Sequence, residues 1–172
     1  MRQVKFNART VVGACAVSAA TILAIATGCK DSRANQAPAQ ESASVAGAHV
    51  DGKNFTIDAA PAGDCKAGAE CHITIKLRAA GDYHINKEYP YKFKAEGAGV
   101  EFLGSDAAGK NTFSKSAGDF VIDDEKGATM TVKFKPAAKG TATIKGTFKM
   151  SVCSAQNCQL ETQDISVDVP VH

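Results

Sequence analysis

Apolar and polar residues alternate with a period of two, glycine-centred turn signals separate the alternating runs, and no helical period persists beyond the first 28 residues. These three observations predict an all-β chain whose strands bury one face and wet the other. The architecture expected is an immunoglobulin-like antiparallel β-sandwich of about seven or eight strands. A closed barrel satisfies the same alternation.

The runs appear in order along the chain. Ile73, Ile75 and Leu77 alternate with Thr74, Lys76 and Arg78, and Met130, Val132 and Phe134 alternate with Thr131, Lys133 and Lys135. Ile144, Phe148, Met150 and Val152 share one parity, with Lys145, Thr147, Lys149 and Ser151 on the other. Ile165, Val167 and Val169 close the series. Ala80-Gly81-Asp82, Glu96-Gly97, Ala108-Gly109-Lys110 and Lys139-Gly140 lie between them as turn signals. No longer internal repeat occurs. The stretch 49–172 is long enough for one small domain and too short for two.

What precedes this domain reads as an export and anchoring segment. Arg2, Lys5 and Arg9 supply a positive n-region, Val11 to Ile25 is apolar and small, and Ala26-Thr27-Gly28 forms a small-residue processing site before Cys29. Residues 1–28 are therefore expected to be a signal peptide, too short and too rich in Ala, Ser and Thr to be a permanent span. Ile25-Ala26-Thr27-Gly28-Cys29 resembles the lipobox of bacterial lipoproteins, with Ala26 where Leu is commonest. The resemblance implies acylation of Cys29, palmitate included, and a membrane partner reached through the lipid.

Residues 29–48 carry Ala, Ser, Gln, Asn and Pro with almost no large apolar side chain, so they bury too little surface to offset their ordering entropy and read as a tether. An Asp directly after the lipidated cysteine retains some lipoproteins in the inner membrane. Lys30 stands there instead, which favours the outer membrane and places the domain in the periplasm-facing cell envelope. The whole chain has 20 Lys and Arg against 18 Asp and Glu, a formal charge of +2. Without the three leader cations the mature charge is about −1, and no basic footprint for nucleic acid remains.

Cys15 leaves with the leader and Cys29 carries the lipid, so Cys65, Cys71, Cys153 and Cys158 remain for the domain. Four cysteines in an exported chain predict two disulfides, with three pairings open. The close pairs are favoured. Two β-patterned runs flank the polar loop Ser154-Ala155-Gln156-Asn157, and pairing them as a hairpin brings Cys153 opposite Cys158. Their Cα atoms would then fall within roughly 4.4–6.8 Å. Closing so short a loop stabilises by at most about 2–3 kcal/mol. That pair is read either as a staple on a hairpin tip or as an exposed, reducible bond. Cys65 and Cys71 flank Lys66-Ala67-Gly68-Ala69-Glu70 and read as a structural loop staple.

Gly81-Asp82-Tyr83-His84-Ile85-Asn86, followed by Tyr89-Pro90, resembles a Gly-Tyr-His-Ile-Asn…Pro segment of the N-terminal periplasmic domain of the thiol:disulfide interchange protein DsbD and its stand-alone relatives. The Cys153-x4-Cys158 hairpin is similar to that domain's redox-active cysteine hairpin, although its spacing is shorter and Gln159-Leu160-Glu161 stands where a proline is common. The resemblance implies an immunoglobulin-like fold in which Cys153 and Cys158 take electrons from, or pass them to, thioredoxin-like periplasmic partners. It also implies that the hairpin loop is the docking surface. No C-x-x-C motif is present, so the chain would need a separate reductant.

Tyr83, His84 and Tyr89 are candidate partner-binding residues, against a packing role at the sandwich edge. His72 follows Cys71, but no C-x-x-C or H-x3-H spacing supports zinc and no C-x-x-C-H supports haem. Met130 and Met150 alternate with core positions, which favours packing over copper ligation. No metal or other cofactor is expected. Nucleophile elbow, phosphate loop and metalloprotease helix are all absent from the sequence. Two functions remain: a lipid-anchored thiol–disulfide exchange protein using Cys153 and Cys158, or a non-catalytic envelope lipoprotein whose stapled sandwich binds a protein or glycan.

Overall fold

A computed structural model describes residues 47–172. The expected signal peptide, Cys29 and the expected tether as far as residue 46 lie outside the described residues. Ala48, assigned to the tether by composition, is the first residue of the first strand.

Eleven strands form and no helix lies among the described residues: β1 Ala48–Asp51, β2 Phe55–Pro61, β3 Cys71–Ala79, β4 His84–Ile85, β5 Lys92–Glu96, β6 Val100–Phe102, β7 Thr112–Ser114, β8 Phe120–Ile122, β9 Gly127–Pro136, β10 Gly140–Cys153 and β11 Cys158–Val171. The count exceeds the seven or eight expected because β4, β6, β7 and β8 span only two or three residues, too few for an alternation to show. One sheet runs β1-β2-β3-β9-β6, with β8 also pairing β9. The other runs β11-β10-β5-β7, with β4 also pairing β10. Every strand pair is antiparallel, and the two sheets are separate, so the chain is a β-sandwich rather than a closed barrel.

The alternating residues meet where the pattern places them. Ile57, Ile73, Ile75, Leu77, Met130, Val132 and Phe134 from the first sheet are fully buried, as are Phe93, Phe113, Ile144, Phe148, Met150 and Val167 from the second. Both methionines are thus packing residues. The inward parity of β10 breaks at Gly146, between Ile144 and Phe148. A Cβ there would lie 2.4 Å from a ring carbon of Phe93 and 2.4 Å from the Lys94 carbonyl oxygen, so glycine is the residue that admits the Phe93 ring.

One expectation fails at the far end of β10. Ser151, assigned to the wet face, is fully buried. The segment after β4 folds over it: Asn86 Nδ2 donates to Ser151 Oγ at 3.3 Å, and the Tyr91 hydroxyl donates to the Ser151 carbonyl at 2.5 Å. Tyr91 also stacks on Phe120 with ring centroids 4.0 Å apart, and burial pushes its hydroxyl pKa well above the usual value, keeping it a donor. The three tyrosines, Tyr83, Tyr89 and Tyr91, therefore take different roles. Tyr91 is core, Tyr89 leans edge-on against it at 5.1 Å, and Tyr83 is half-buried with its hydroxyl free to reach the hairpin loop.

At the domain's entrance His49 on β1 lies between two carboxylates, with Nδ1 2.5 Å from Asp58 Oδ1 and Nε2 3.0 Å from Asp51 Oδ1. Both contacts favour the imidazolium. The hydrogen bond to Asp58, then that to Asp51 and the two negative charges, raises the His49 pKa above its ordinary value. A raised folded-state pKa stabilises fully below the unfolded value and is lost as pH climbs through the folded one. Stability should therefore decline from about pH 6.5 upward through that range. In His49→Gln, urea unfolding across pH 6 to 9 should lose this slope; an unchanged slope would assign it elsewhere.

Candidate functional site

The long hairpin β10–β11 holds fourteen residues on each strand in one unbroken register, from Gly140↔Val171 to Cys153↔Cys158. Its lower part carries core residues and its tip carries the cysteines. Ser154 N–H donates to the Asn157 carbonyl at 2.8 Å, and Ser154 Oγ accepts the N–H groups of Gln156 (3.2 Å) and Asn157 (3.3 Å). These bonds close the four-residue loop that the sequence places between the cysteines.

The two close disulfides form, Cys65–Cys71 and Cys153–Cys158, each with an S–S distance of 2.02 Å. The Cα separation of the hairpin pair is 4.0 Å, below the range expected from sequence. Register explains it. Ser154 and Asn157 form a hydrogen-bonded pair, so Cys153 and Cys158 occupy the next, narrow pair, where opposed Cα atoms approach to about 4.5 Å.

The two disulfides have opposite surroundings. Cys65 and Cys71 are both 3% exposed and belong to the hydrophobic core. The Cys65 carbonyl accepts the His172 N–H at 2.9 Å, and Ala67 N–H donates to the His172 carbonyl at 3.1 Å, so this staple also ties down the C-terminal strand. His72 points away from Cys71 to the exposed face, which leaves no Cys-His site there. In the hairpin pair Cys153 is 6% exposed while Cys158 is exposed, and neither joins the core.

β4 brings the other sequence motif to this pair. His84 is the direct cross-strand partner of Cys153, and Ile85 of Val152. His84, Cys153 and Cys158 thus form one row across three strands, with side chains on the same outer face. The sequence placed no histidine beside this pair, because His84 and Cys153 are 69 positions apart along the chain. The turn that delivers it needs Gly81, whose φ of 61° is left-handed, and Lys126 Nζ clamps it by donating to the carbonyls of Gly81 (2.7 Å) and Tyr83 (2.5 Å).

Three more residues complete the site, and sequence reasoning did not assign them. Asn86 Nδ2 lies 4.0 Å from Cys158 Sγ, the outer limit for a hydrogen bond to sulfur. Asn157 Oδ1 accepts the Tyr83 hydroxyl at 2.9 Å, joining the β3–β4 turn to the hairpin loop. Leu160, two residues past Cys158 on the same face, is 66% exposed. Asn86 was legible as part of the quoted motif, whereas Asn157 and Leu160 carry no local signal. Of the predicted partner-binding residues, Tyr83 reaches the hairpin loop at Asn157 and His84 lies opposite Cys153, but Tyr89 packs on Tyr91 instead. An open cavity of about 480 Å³ lies beside His84, lined by Ile85, Asn86, Lys87, Glu88 and Glu125. Among the described residues no group of three or more His, Cys, Asp or Glu side chains is arranged to hold a metal.

The fold and its two disulfides define a stapled β-sandwich of an oxidising, extracytoplasmic compartment. No family model matches the chain, and no curated protein matches it. The geometry of the site therefore carries its functional reading.

Loop closure is nearly equal for the two pairs, with separations of six and five residues, and is worth about 2 kcal/mol each. Their different burial should separate them. C65A/C71A is expected to lose about 3–5 kcal/mol and C153A/C158A no more than about 2 kcal/mol in urea unfolding. Equal losses would contradict the division into a core staple and a peripheral bond.

Proposed function

We propose that the protein is a lipid-anchored thiol–disulfide exchange protein of the cell envelope, working through Cys153 and Cys158 in the manner implied by its resemblance to the DsbD N-terminal domain family. The observation that carries this reading is the asymmetry of the pair: Cys158 is exposed, whereas Cys153 is 6% exposed and lies beside His84 in the same row. A purely mechanical staple needs neither the asymmetry nor the polar company.

The reaction follows from that arrangement. A thiolate of a reduced dithiol protein attacks Cys158 Sγ, the accessible sulfur, in line with the S–S bond. The new bond is a mixed disulfide to Cys158; the bond broken is Cys153–Cys158, and Cys153 leaves as a thiolate that takes up a proton. His84, beside Cys153 in the same row, is the group placed to deliver it. The partner's second thiolate then attacks its own sulfur in the mixed disulfide and expels Cys158 as thiolate. The partner ends as a disulfide, and two electrons rest on Cys153 and Cys158. Asn86 Nδ2 is the donor nearest the departing Cys158 sulfur. Exchange in the opposite direction returns the electrons to an oxidised partner.

Export by the signal peptide, acylation of Cys29 and a tether of about twenty residues would set this site off a membrane surface, the outer membrane by the Lys30 criterion. Thioredoxin-like proteins are the partner class that the chemistry calls for.

The roles of the two sulfurs are separable by single substitutions. In Cys153→Ser, Cys158 should alkylate rapidly with iodoacetamide and capture a dithiol protein as a mixed disulfide. In Cys158→Ser, the buried Cys153 should alkylate at least about tenfold more slowly and capture nothing. Equal reactivity, or capture by Cys153 alone, would overturn the assignment.

A further inference from the structure

The face that bears the disulfide continues down the second sheet, where it carries a cluster of lysines. Two rows below Cys153 on β10 stands Lys149, whose direct cross-strand partner is Lys92 on β5; Lys94 lies one row further, opposite Thr147. Like charges directly opposed across a sheet destabilise it. Lys92 has Asp106 at 3.8 Å, with that carboxylate held low in pKa by the Ser114 hydroxyl and the Ala108 N–H. Among the described residues neither Lys94 nor Lys149 has a carboxylate within ion-pair distance. With Ala108, Thr112 and Thr147 these lysines line a groove of about 380 Å³. Between groove and disulfide, in the row of Ser151, stands Leu160, one of two large apolar side chains exposed among the described residues.

Disulfide, apolar step and unneutralised lysines therefore lie in sequence on one face. At about 3.3 Å per residue, Lys149 is about 13 Å from Cys153 along the strand, and the Lys94 row about 20 Å. We propose that this face docks an acidic protein surface: the protein that exchanges with Cys153–Cys158 seats apolar atoms on Leu160 and sets carboxylates in the lysine groove, about 13–20 Å from its reacting sulfur. The proposal rests on the exchange reading and names the chemistry of the partner. A small free anion would use the lysines but not Leu160. A partner that spans both gains charge complementarity and closer placement of its thiol.

The test uses the described domain, residues 47–172, and an extended peptide with one cysteine and glutamates four and six residues away. Three companions serve as controls: the same peptide with Gln for Glu, one with Ser for Cys, and inorganic phosphate. At low ionic strength the Ser peptide should shift the amide resonances of Lys92, Lys94, Lys149 and Leu160 saturably, and 0.5 M salt or K94E/K149E should abolish this. The acidic cysteine peptide should open Cys153–Cys158 to its mixed disulfide with Cys158, releasing the Cys153 thiol, at least about tenfold faster than its Gln counterpart. In K94E/K149E that ratio should fall to about one, with the dithiothreitol rate unchanged.

Equal rates and no localised shifts, in a protein that dithiothreitol does reduce, would overturn the docking face alone. Phosphate binding as tightly as the peptide, with Leu160 unmoved, would overturn it in favour of a small-anion site. A disulfide that resists dithiothreitol while the Ser peptide still binds would defeat the exchange reading and leave the acidic docking face standing.

Discussion

One register governs this molecule: the fourteen cross-strand pairs that hold β10 against β11. Because side chains alternate faces, a slip of one residue would turn Ile144, Phe148, Met150 and Val152 outward and remove most of the second sheet's contribution to the core. The same register sets Cys153 directly against Cys158 at the far end. Core packing thus fixes the position of the cysteines from a distance, and the disulfide is not needed to align the strands. This is the physical reason that the hairpin bond can be peripheral to stability while remaining well positioned.

The other disulfide answers a different need. Cys65 lies outside any strand in a bridge to Val171, and its covalent link to Cys71 adds to the backbone hydrogen bonds with His172 that hold the loop between β2 and β3 against the C-terminal strand. Burial of both sulfurs in the core excludes an attacking thiolate. Two bonds of nearly equal loop length thus differ in access and in what depends on them, and those properties bear on reactivity more than spacing does.

Much of the fold was legible because alternation is a local property. The runs at 73–77, 130–134 and 165–169 are buried on the side their parity dictates, and the interruption at Gly146 marks where the Phe93 ring enters. The loop between Cys153 and Cys158 was legible as a hairpin connection for the same reason. What escaped was non-local. Ser151 looks solvated until the Asn86–Tyr91 segment is placed over it, and His84 looks like a turn residue until β4 pairs with β10. Lys149 was placed on the polar parity of its run, but parity alone does not say what lies across from it; Lys92 does. Tyr89 and Tyr83 are alike in sequence, and only the packing of Tyr89 on Tyr91 separates them.

The central claim is that the Cys153–Cys158 bond opens and closes while the sandwich persists. It is tested most directly by a redox-buffer titration of residues 47–172, with disulfides mapped by mass spectrometry and the fold followed by near-ultraviolet circular dichroism. The account predicts that Cys153–Cys158 alone reduces reversibly, at a potential above about −300 mV, with the tertiary signal intact and Cys65–Cys71 still oxidised. Reduction of the hairpin bond only when the tertiary signal is lost would contradict it and leave a stapled binding module.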